Sequence, residues 1–192
     1  MLKFIDDPNF EFQFVVSGTH LSLSHGMTIK NIQKDKIPIN YKVDLKINNT
    51  SRKEIANSSF IAINKYYKIL SKLKPDIVVL LGDRYETFIF AYSCYVNLFR
   101  ICHLHGGELT RGLIDDGLRH SITKMSHYHF CSNLIYKKRI FQLGESPKNV
   151  FNVGPFCSDE IKIIYSSNNI LLQKKYNYIF KKKSFLVTFH PL

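Results

Sequence analysis

Three groups of carboxylates stand where apolar runs of this chain stop or restart. Ile77-Val78-Val79-Leu80-Leu81 ends at Gly82-Asp83-Arg84. Ile101-Cys102-His103-Leu104 ends at His105-Gly106-Gly107-Glu108. Asp115-Asp116 follows a polar loop and precedes Arg119-His120. Carboxylates become general acids and bases once burial and neighbouring charges adjust their pKa values. In an α/β sheet, the carboxyl ends of parallel strands are where ligands bind. The placement marks a candidate active site for proton-transfer chemistry.

Each group also has a plainer role. Asp83 follows a glycine, and alone it reads better as a helix cap. Glu108 follows two glycines that would let the backbone approach a ligand, but a surface loop explains the composition equally well. Asp115 and Asp116 suit the first turn of a helix, and Arg119, four residues after Asp115, can pair with it on one face. His103/His105 and His127/His129 have strand spacing, but neither pair has companions at metal-ligand spacing. Structural or hydrogen-bonded histidines are expected there, and no metal. No Gly-x-Gly-x-x-Gly follows a strand, and no Gly-Lys-Ser/Thr loop or Gly-x-Ser-x-Gly elbow occurs. These absences argue against a dinucleotide-dependent dehydrogenase, a P-loop enzyme and an α/β-hydrolase.

The elements that must position these residues alternate. Phe10 to Val16 reads as a strand ending at Ser17-Gly18-Thr19-His20, and Leu21 to Tyr41 as loop and short helix. Ser58 to Leu73 is a helix with Phe60, Ile63, Tyr67 and Leu70 at helical spacing, stopped by Pro75. The strand Ile77–Leu81 follows. A helix over Tyr85–Phe99 carries Ala91, Cys94, Tyr95 and Leu98 on one face. Then come a strand over Arg100–Leu104, a helix over Asp116–Ser126, and a strand over Tyr128–Cys131. A helix capped by Ser132 runs to Leu143 and is stopped by Gly144, and Val150–Val153 is a strand. Phe185–Phe189 begins another strand beyond a Lys- and Asn-rich stretch. The alternation predicts an α/β fold: a Rossmann-like parallel sheet with helices on both faces.

With 192 residues and 45% hydrophobic content, the chain can bury a sizeable core. The net charge of +12 is spread along the sequence, with its tightest cluster at Lys181-Lys182-Lys183. It suits an anionic small molecule better than nucleic acid, so no nucleic-acid partner is expected. No apolar run is long enough to span a bilayer, so no membrane partner is expected. The N-terminus meets Asp6-Asp7 too soon for a signal peptide, and a cytoplasmic location is expected. Cys94, Cys102, Cys131 and Cys157 form no Cys-x-x-Cys pair and read as buried reduced thiols.

The chain resembles the hydrolysing UDP-N-acetylglucosamine 2-epimerases of sialic acid and related sugar biosynthesis. The most specific match runs from His103-Leu104-His105-Gly106-Gly107-Glu108 through Asp115-Asp116-Gly117-Leu118-Arg119-His120 to Lys124. Supporting segments are Gly18-Thr19-His20-Leu21-Ser22, Leu81-Gly82-Asp83-Arg84-Tyr85-Glu86, Phe151-Asn152-Val153-Gly154 and Val187-Thr188-Phe189-His190-Pro191. The resemblance implies a GT-B-type fold of two Rossmann-like domains with the site between them. It implies elimination of UDP from UDP-N-acetylglucosamine to a 2-acetamidoglucal, then hydration to N-acetylmannosamine, with no cofactor. By motif match, Asp83, Glu108, Asp115, Asp116 and His190 are the implied catalytic residues, His190 assisting departure of the nucleotide phosphate. His20, Arg84, Gly106, Gly107 and Arg119 are the implied substrate-binding residues. UDP-N-acetylglucosamine is the implied partner, and a homo-oligomer is left open.

Set against this family pattern, Met1 falls after the expected first strand and its loop, and His190 stands two residues before the last residue. The expected organisation is an N-terminal Rossmann-like domain over 1–160, a connecting segment over 161–183, and the first strand of a truncated second domain over 184–192. The 192-residue chain alone is therefore expected to lack useful epimerase activity. The alternatives are a non-catalytic remnant and a relative acting on another nucleotide-linked N-acetylated sugar. Carboxylate proton transfer needs no Lewis acid. A chain extended to family length is therefore expected to release UDP at an unchanged rate after exhaustive chelation. Loss of that activity, restored by one particular divalent ion, would mean that the histidine pairs are ligands.

Overall fold

The computed structural model describes residues 2–48 and 51–158, together with Asn177, Phe185 and Val187. The expected domain boundary after 160, the connecting segment, the strand Phe185–Phe189 as a whole and His190 lie outside the described residues. Among the described residues, no helix is long and apolar enough to cross a membrane.

The elements run α1 (Leu2–Ile5), β1 (Val15–Ser17), α2 (Ile29–Lys34), β2 (Tyr41–Val43), α3 (Arg52–Leu73), β3 (Ile77–Leu81), α4 (Tyr85–Val96), β4 (Arg100–Leu104), α5 (Ile114–Met125), β5 (Tyr128–Cys131), α6 (Leu134–Gln142) and β6 (Val150–Asn152). The expected α/β alternation is present, and every strand pairing is parallel. The strands form a two-stranded sheet, β1-β2, and a four-stranded sheet in the order β3-β4-β5-β6. Sequential parallel neighbours need a crossover, and α4, α5 and α6 provide one in turn. β2 has no counterpart among the sequence expectations, because three residues are too few for an alternation to register.

α3 starts earlier than its apolar spacing indicates, since the Ser51 hydroxyl accepts a hydrogen bond from the Glu54 amide and caps it. It ends at Leu73 with Lys74 in the left-handed conformation, just ahead of Pro75. Its buried stripe is Ser58, Ala62, Tyr66 and Leu70. Of the residues whose spacing marked a core face, only Leu70 is buried, and Phe60 is 80% exposed. The small side chains explain the rotation. They let α3 lie close to α4, with Ser58 and Tyr85 hydroxyls 3.1 Å apart, and Tyr66 reaches Ser17 at 2.8 Å. On α4, Ala91 and Cys94 are buried as expected, whereas Tyr95 and Leu98 are exposed. The chain leaves the helix at Asn97, and Leu98 takes positive φ in the turn into β4. Ser132 does not cap α6. Asn133 does, its side chain accepting from the Tyr136 amide.

One core cluster joins Val78 and Leu80 of β3, Ile101 of β4, Ala91 and Cys94 of α4, Ile122 of α5 and Leu70 of α3. A second joins Val43, Leu45 and Ile47 to Ala62 and Tyr66 of α3 and Ile89 of α4. Cys131, Ile140 and Val150 form a third, which seats α6 on β5 and β6. Cys94, Cys102 and Cys131 are buried free thiols, but Cys157 is exposed, contrary to the expectation for it.

β3 is apolar at every position, yet its burial alternates. Leu80 is 6% exposed and Leu81 61%. Leu80→Ala should therefore lower stability by about 2–5 kcal/mol, and Leu81→Ala by less than about 1 kcal/mol. Urea midpoints of the two variants, at unchanged m-value, check this; equal losses would mean that both faces of β3 are packed.

Candidate active site

Arg119 joins the acidic groups. Its side chain is only 6% exposed, on the inner face of α5. Nη2 donates to Asp83 Oδ2, at the end of β3, and to Thr110 Oγ1 at 2.8 Å. Nη1 donates to the Glu108 carbonyl at 3.0 Å and lies 3.4 Å from Asp116 Oδ1. Asp116 Oδ1 also accepts from the Thr110 amide at 2.7 Å. One guanidinium thus ties the β3 turn, the loop after β4 and the first turn of α5. A buried cation requires such pairing. The expected ion pair with Asp115 is replaced by these contacts, and Asp83 serves Arg119 rather than capping α4, whose N-cap is Arg84.

Glu108 is held separately. Its Oε1 is 2.6 Å from His105 Nδ1 and accepts from Ser132 Oγ at 3.0 Å. His105 takes φ 63°, a left-handed conformation unusual for a residue other than glycine, and its ring meets the Phe156 ring edge-on. Strained backbone of this kind clusters at functional sites. The glycine pair makes the loop fit. A Cβ on Gly106 would lie 3.0 Å from Thr123 Oγ1 and 3.1 Å from His103 Nδ1. A Cβ on Gly107, at φ 80°, would lie 2.5 Å from the Tyr136 carbonyl oxygen. Arg139 of α6 donates to the Gly107 carbonyl and fastens the loop from the other side.

Asp115 differs from its neighbours. It makes no hydrogen bond or ion pair with the described residues, and it is half-buried. Burial pushes its carboxyl above the ordinary aspartate value; the charges of Asp83 and Glu86 add to this, while Arg84 and Arg119 oppose it. The exposed Arg84 pairs with buried Glu86 at 3.3 Å. Glu86 in turn packs on Gly18, so the turn carrying His20 lies against this edge of the site. His20 itself is exposed, with Nδ1 2.7 Å from Thr28 Oγ1, and none of its hydrogen bonds reaches the carboxylates. His120 Nε2 stands 3.9 Å from Asp116 Oδ2.

Of the residues named from sequence, Asp83, Glu108, Asp116 and Arg119 share one bonded network, and Gly106 and Gly107 carry the loop beside it. Asp115 and Arg84 lie within its field, and His20 stands apart. Thr110 and Arg139 hold the loop without having been singled out, and His105 and Ser132 do so in roles other than the ones expected of them. Thr110 sits inside the most specific motif, so its position was a usable signal. The other contacts depend on tertiary placement, which local spacing does not report.

Below the carboxylates lie two buried histidines. Burial pushes His103 down to about 4. Burial also lowers His129, against the opposing charge of Glu145, whose Oε2 is 3.3 Å away. His103 faces His129, Arg119 and Asp83. Between pH about 6.5 and about 4 the unfolded chain binds the proton that folded His103 does not, so stability falls as pH falls through that window. For His103 alone the loss at pH 4.5 should be about 2–3 kcal/mol. Urea unfolding at pH 7.5 and 4.5 should show a larger acid loss for the wild type than for His103→Gln. Equal losses would show that His103 titrates alike in both states.

The family model described as UDP-N-acetylglucosamine 2-epimerase matches residues 3–192. The chain is 42% identical over 187 residues to a Campylobacter jejuni protein named GDP/UDP-N,N'-diacetylbacillosamine 2-epimerase (hydrolyzing), covering 97% of this chain and 48% of that protein. It is 38% identical over 186 residues to the Escherichia coli polysialic acid biosynthesis protein P7, covering 97% of this chain and 47% of that one. The chain thus spans about half the length of the curated relatives it matches. Its fold matches a crystal structure of Neisseria meningitidis UDP-GlcNAc 2-epimerase bound to UDP-GlcNAc, with TM-score 0.73 at 18% identity, covering 91% of this chain and 47% of that one. With a family match over nearly its whole length and close relatives of the same kind, the chain belongs to the UDP-N-acetylglucosamine 2-epimerase family.

Proposed function

We propose that this chain is the carboxylate-bearing part of a hydrolysing 2-epimerase, which converts UDP-N-acetylglucosamine to N-acetylmannosamine and UDP. The observation that carries the reading is the contrast within one cluster: Asp83 and Asp116 are bonded to Arg119, while Asp115 beside them is unpartnered and its carboxyl is raised. Elimination requires a base to take the poorly acidic proton from carbon 2 while the bond from carbon 1 to the nucleotide oxygen breaks. Hydration then returns a proton to carbon 2 from the other face as water adds at carbon 1. A carboxyl raised above the ordinary aspartate value and free of hydrogen-bonding partners suits proton exchange. We assign that exchange to Asp115, with Glu108, steadied by His105 and Ser132, as the second proton-transfer group. Asp83 and Asp116 position Arg119 and carry fixed charge. Arg84 and the glycine loop face the substrate in this reading, and His20 borders it. His190 assists departure of the phosphate, a cationic imidazole offsetting its developing charge.

The proposed organisation keeps 1–160 as the N-terminal domain, 161–183 as the connection and 184–192 as the opening of a second domain. A second sugar is favoured by the 42% identical relative, whose name specifies N,N'-diacetylbacillosamine. That sugar also carries an acetamido group on carbon 2, so the same carboxylates would serve it.

The test uses a chain extended to the length of the relatives. Asp115→Asn should reduce UDP release by about 100- to 10,000-fold while leaving UDP affinity within about threefold. Release at the wild-type rate would overturn the assignment. Running the wild type with each of the two UDP-sugars in parallel identifies the preferred one; release from neither would overturn the epimerase reading.

A further inference from the structure

We infer that His103 is a positioning residue for the carboxylate cluster, a buried imidazole that locks the Gly82-Asp83 turn to α5. His103 is fully buried on β4 and touches none of the carboxylates. Its Nε2 is 3.0 Å from the Gly82 carbonyl oxygen, and its Nδ1 is 3.1 Å from Thr123 Oγ1. A carbonyl only accepts, so Nε2 carries the proton. In the neutral ring Nδ1 is then an acceptor, and the one Thr123 hydroxyl proton lies between it and the Arg119 carbonyl.

Those two partners stand directly behind the site. Gly82 precedes Asp83 and adopts φ 90°, so a fixed carbonyl fixes the direction in which the chain presents Asp83. Thr123 lies one helical turn beyond Arg119, with its hydroxyl 3.0 Å from the Arg119 carbonyl. The ring therefore spans the two backbones whose side chains, Asp83 and Arg119, meet in the site. Gly106 passes immediately over the same pair of atoms, so the Glu108 loop rests on this bridge. Both ring nitrogens are engaged by protein groups, which assigns His103 to support rather than to ligation. The bridge is independent of substrate identity; only its consequence for turnover rests on the epimerase reading.

Two amide replacements separate the bonds. Glutamine can place its N–H near the Nε2 position and keep the Gly82 bond, whereas asparagine reaches only the Nδ1 side. Leucine fills volume and keeps neither. In the 192-residue protein, nitrogen-15 spectra of His103 should show the Nε2–H tautomer from pH 6 to 8. Carbon-13 titration should show the Asp115 midpoint moving down toward its ordinary value in His103→Leu and His103→Asn, because Asp83 is no longer held close. His103→Gln should stay near wild type. A role confined to filling the core would leave these titrations unchanged in any variant that folds. If His103→Leu does not fold, Thr123→Val, which removes only the hydroxyl, should still alter the Nδ1 shift and the Asp115 midpoint. In the chain extended to family length, His103→Asn should lower kcat at least about tenfold with KM within about threefold, since the reacting groups and not the binding contacts are displaced. An Nδ1–H tautomer, or Asp115 titrations identical to wild type in the folded Leu, Asn and Val variants, would overturn the inference. Wild-type inactivity toward both UDP-sugars would overturn the epimerase reading alone, because the spectra judge the bridge without turnover.

Discussion

The site depends on the burial of one positive charge. Arg119 is nearly inaccessible, and a guanidinium cannot shed its proton to escape the desolvation cost. It must be surrounded by acceptors, and the chain supplies them from three places along the sequence. Asp83 comes from the end of β3, the Glu108 carbonyl and Thr110 hydroxyl from the loop after β4, and Asp116 from the same helix. Loss of any of these acceptors leaves part of a buried charge unsatisfied. The cation therefore does more than attract carboxylates. It sets the height at which two strand ends and one helix start must meet.

Parallel pairing makes that meeting feasible. β3 and β4 run in register from Ile77 opposite Arg100 to Leu81 opposite Leu104, so their carboxyl ends fall on one level. Leu104 in turn sits opposite Phe130 of β5, which brings Ser132 to the same edge. Glu108 then finds Ser132 across the sheet and His105 within its own loop. The loop can lie this close only because positions 106 and 107 lack side chains, since a Cβ at 107 would collide with α6 backbone. The third core cluster, which seats α6, thereby fixes the distance between the glycine loop and the helix behind it.

Much of this was legible in the sequence. The apolar runs that become β3 and β4, the carboxylates that end them and the helix that follows Asp115 all reflect local constraints. Spacing could not tell which partner each carboxylate would take. Asp83 reads locally as a cap, and only the approach of α5 across the strand ends turns it toward Arg119. The expected Asp115–Arg119 pair is compatible with helix geometry, but Asp116 is equally well spaced and has Thr110 to steady it. The buried face of α3 differs from its apolar periodicity for a related reason. Apolar periodicity favours Phe60 and Tyr67, whereas close packing against α4 selects the smaller Ser58 and Ala62. His105 reads as a strand-face partner of His103, but its left-handed backbone turns it into the loop toward Glu108.

The adjacent pair Asp115-Asp116 shows how one helix turn can furnish two carboxylates of different chemistry. Successive side chains on a helix point about 100° apart. When Asp116 is directed at Arg119, three residues on, Asp115 is turned out of that network. It keeps the cost of partial burial and the repulsion of Asp83 and Glu86, opposed by the charges of Arg84 and Arg119 but by no hydrogen bond. In the proposed elimination and hydration sequence, held and free carboxylates side by side would have separate uses: fixed charge to hold the site together, and a group to release and regain a proton. Exchanging the order of the roles would require Asp115 to reach Arg119, leaving the Thr110 amide without Asp116. The loop that carries Glu108 would then lose one of its ties to α5. The proposed assignment of the mobile proton to Asp115 thus rests on the same contacts that bury Arg119.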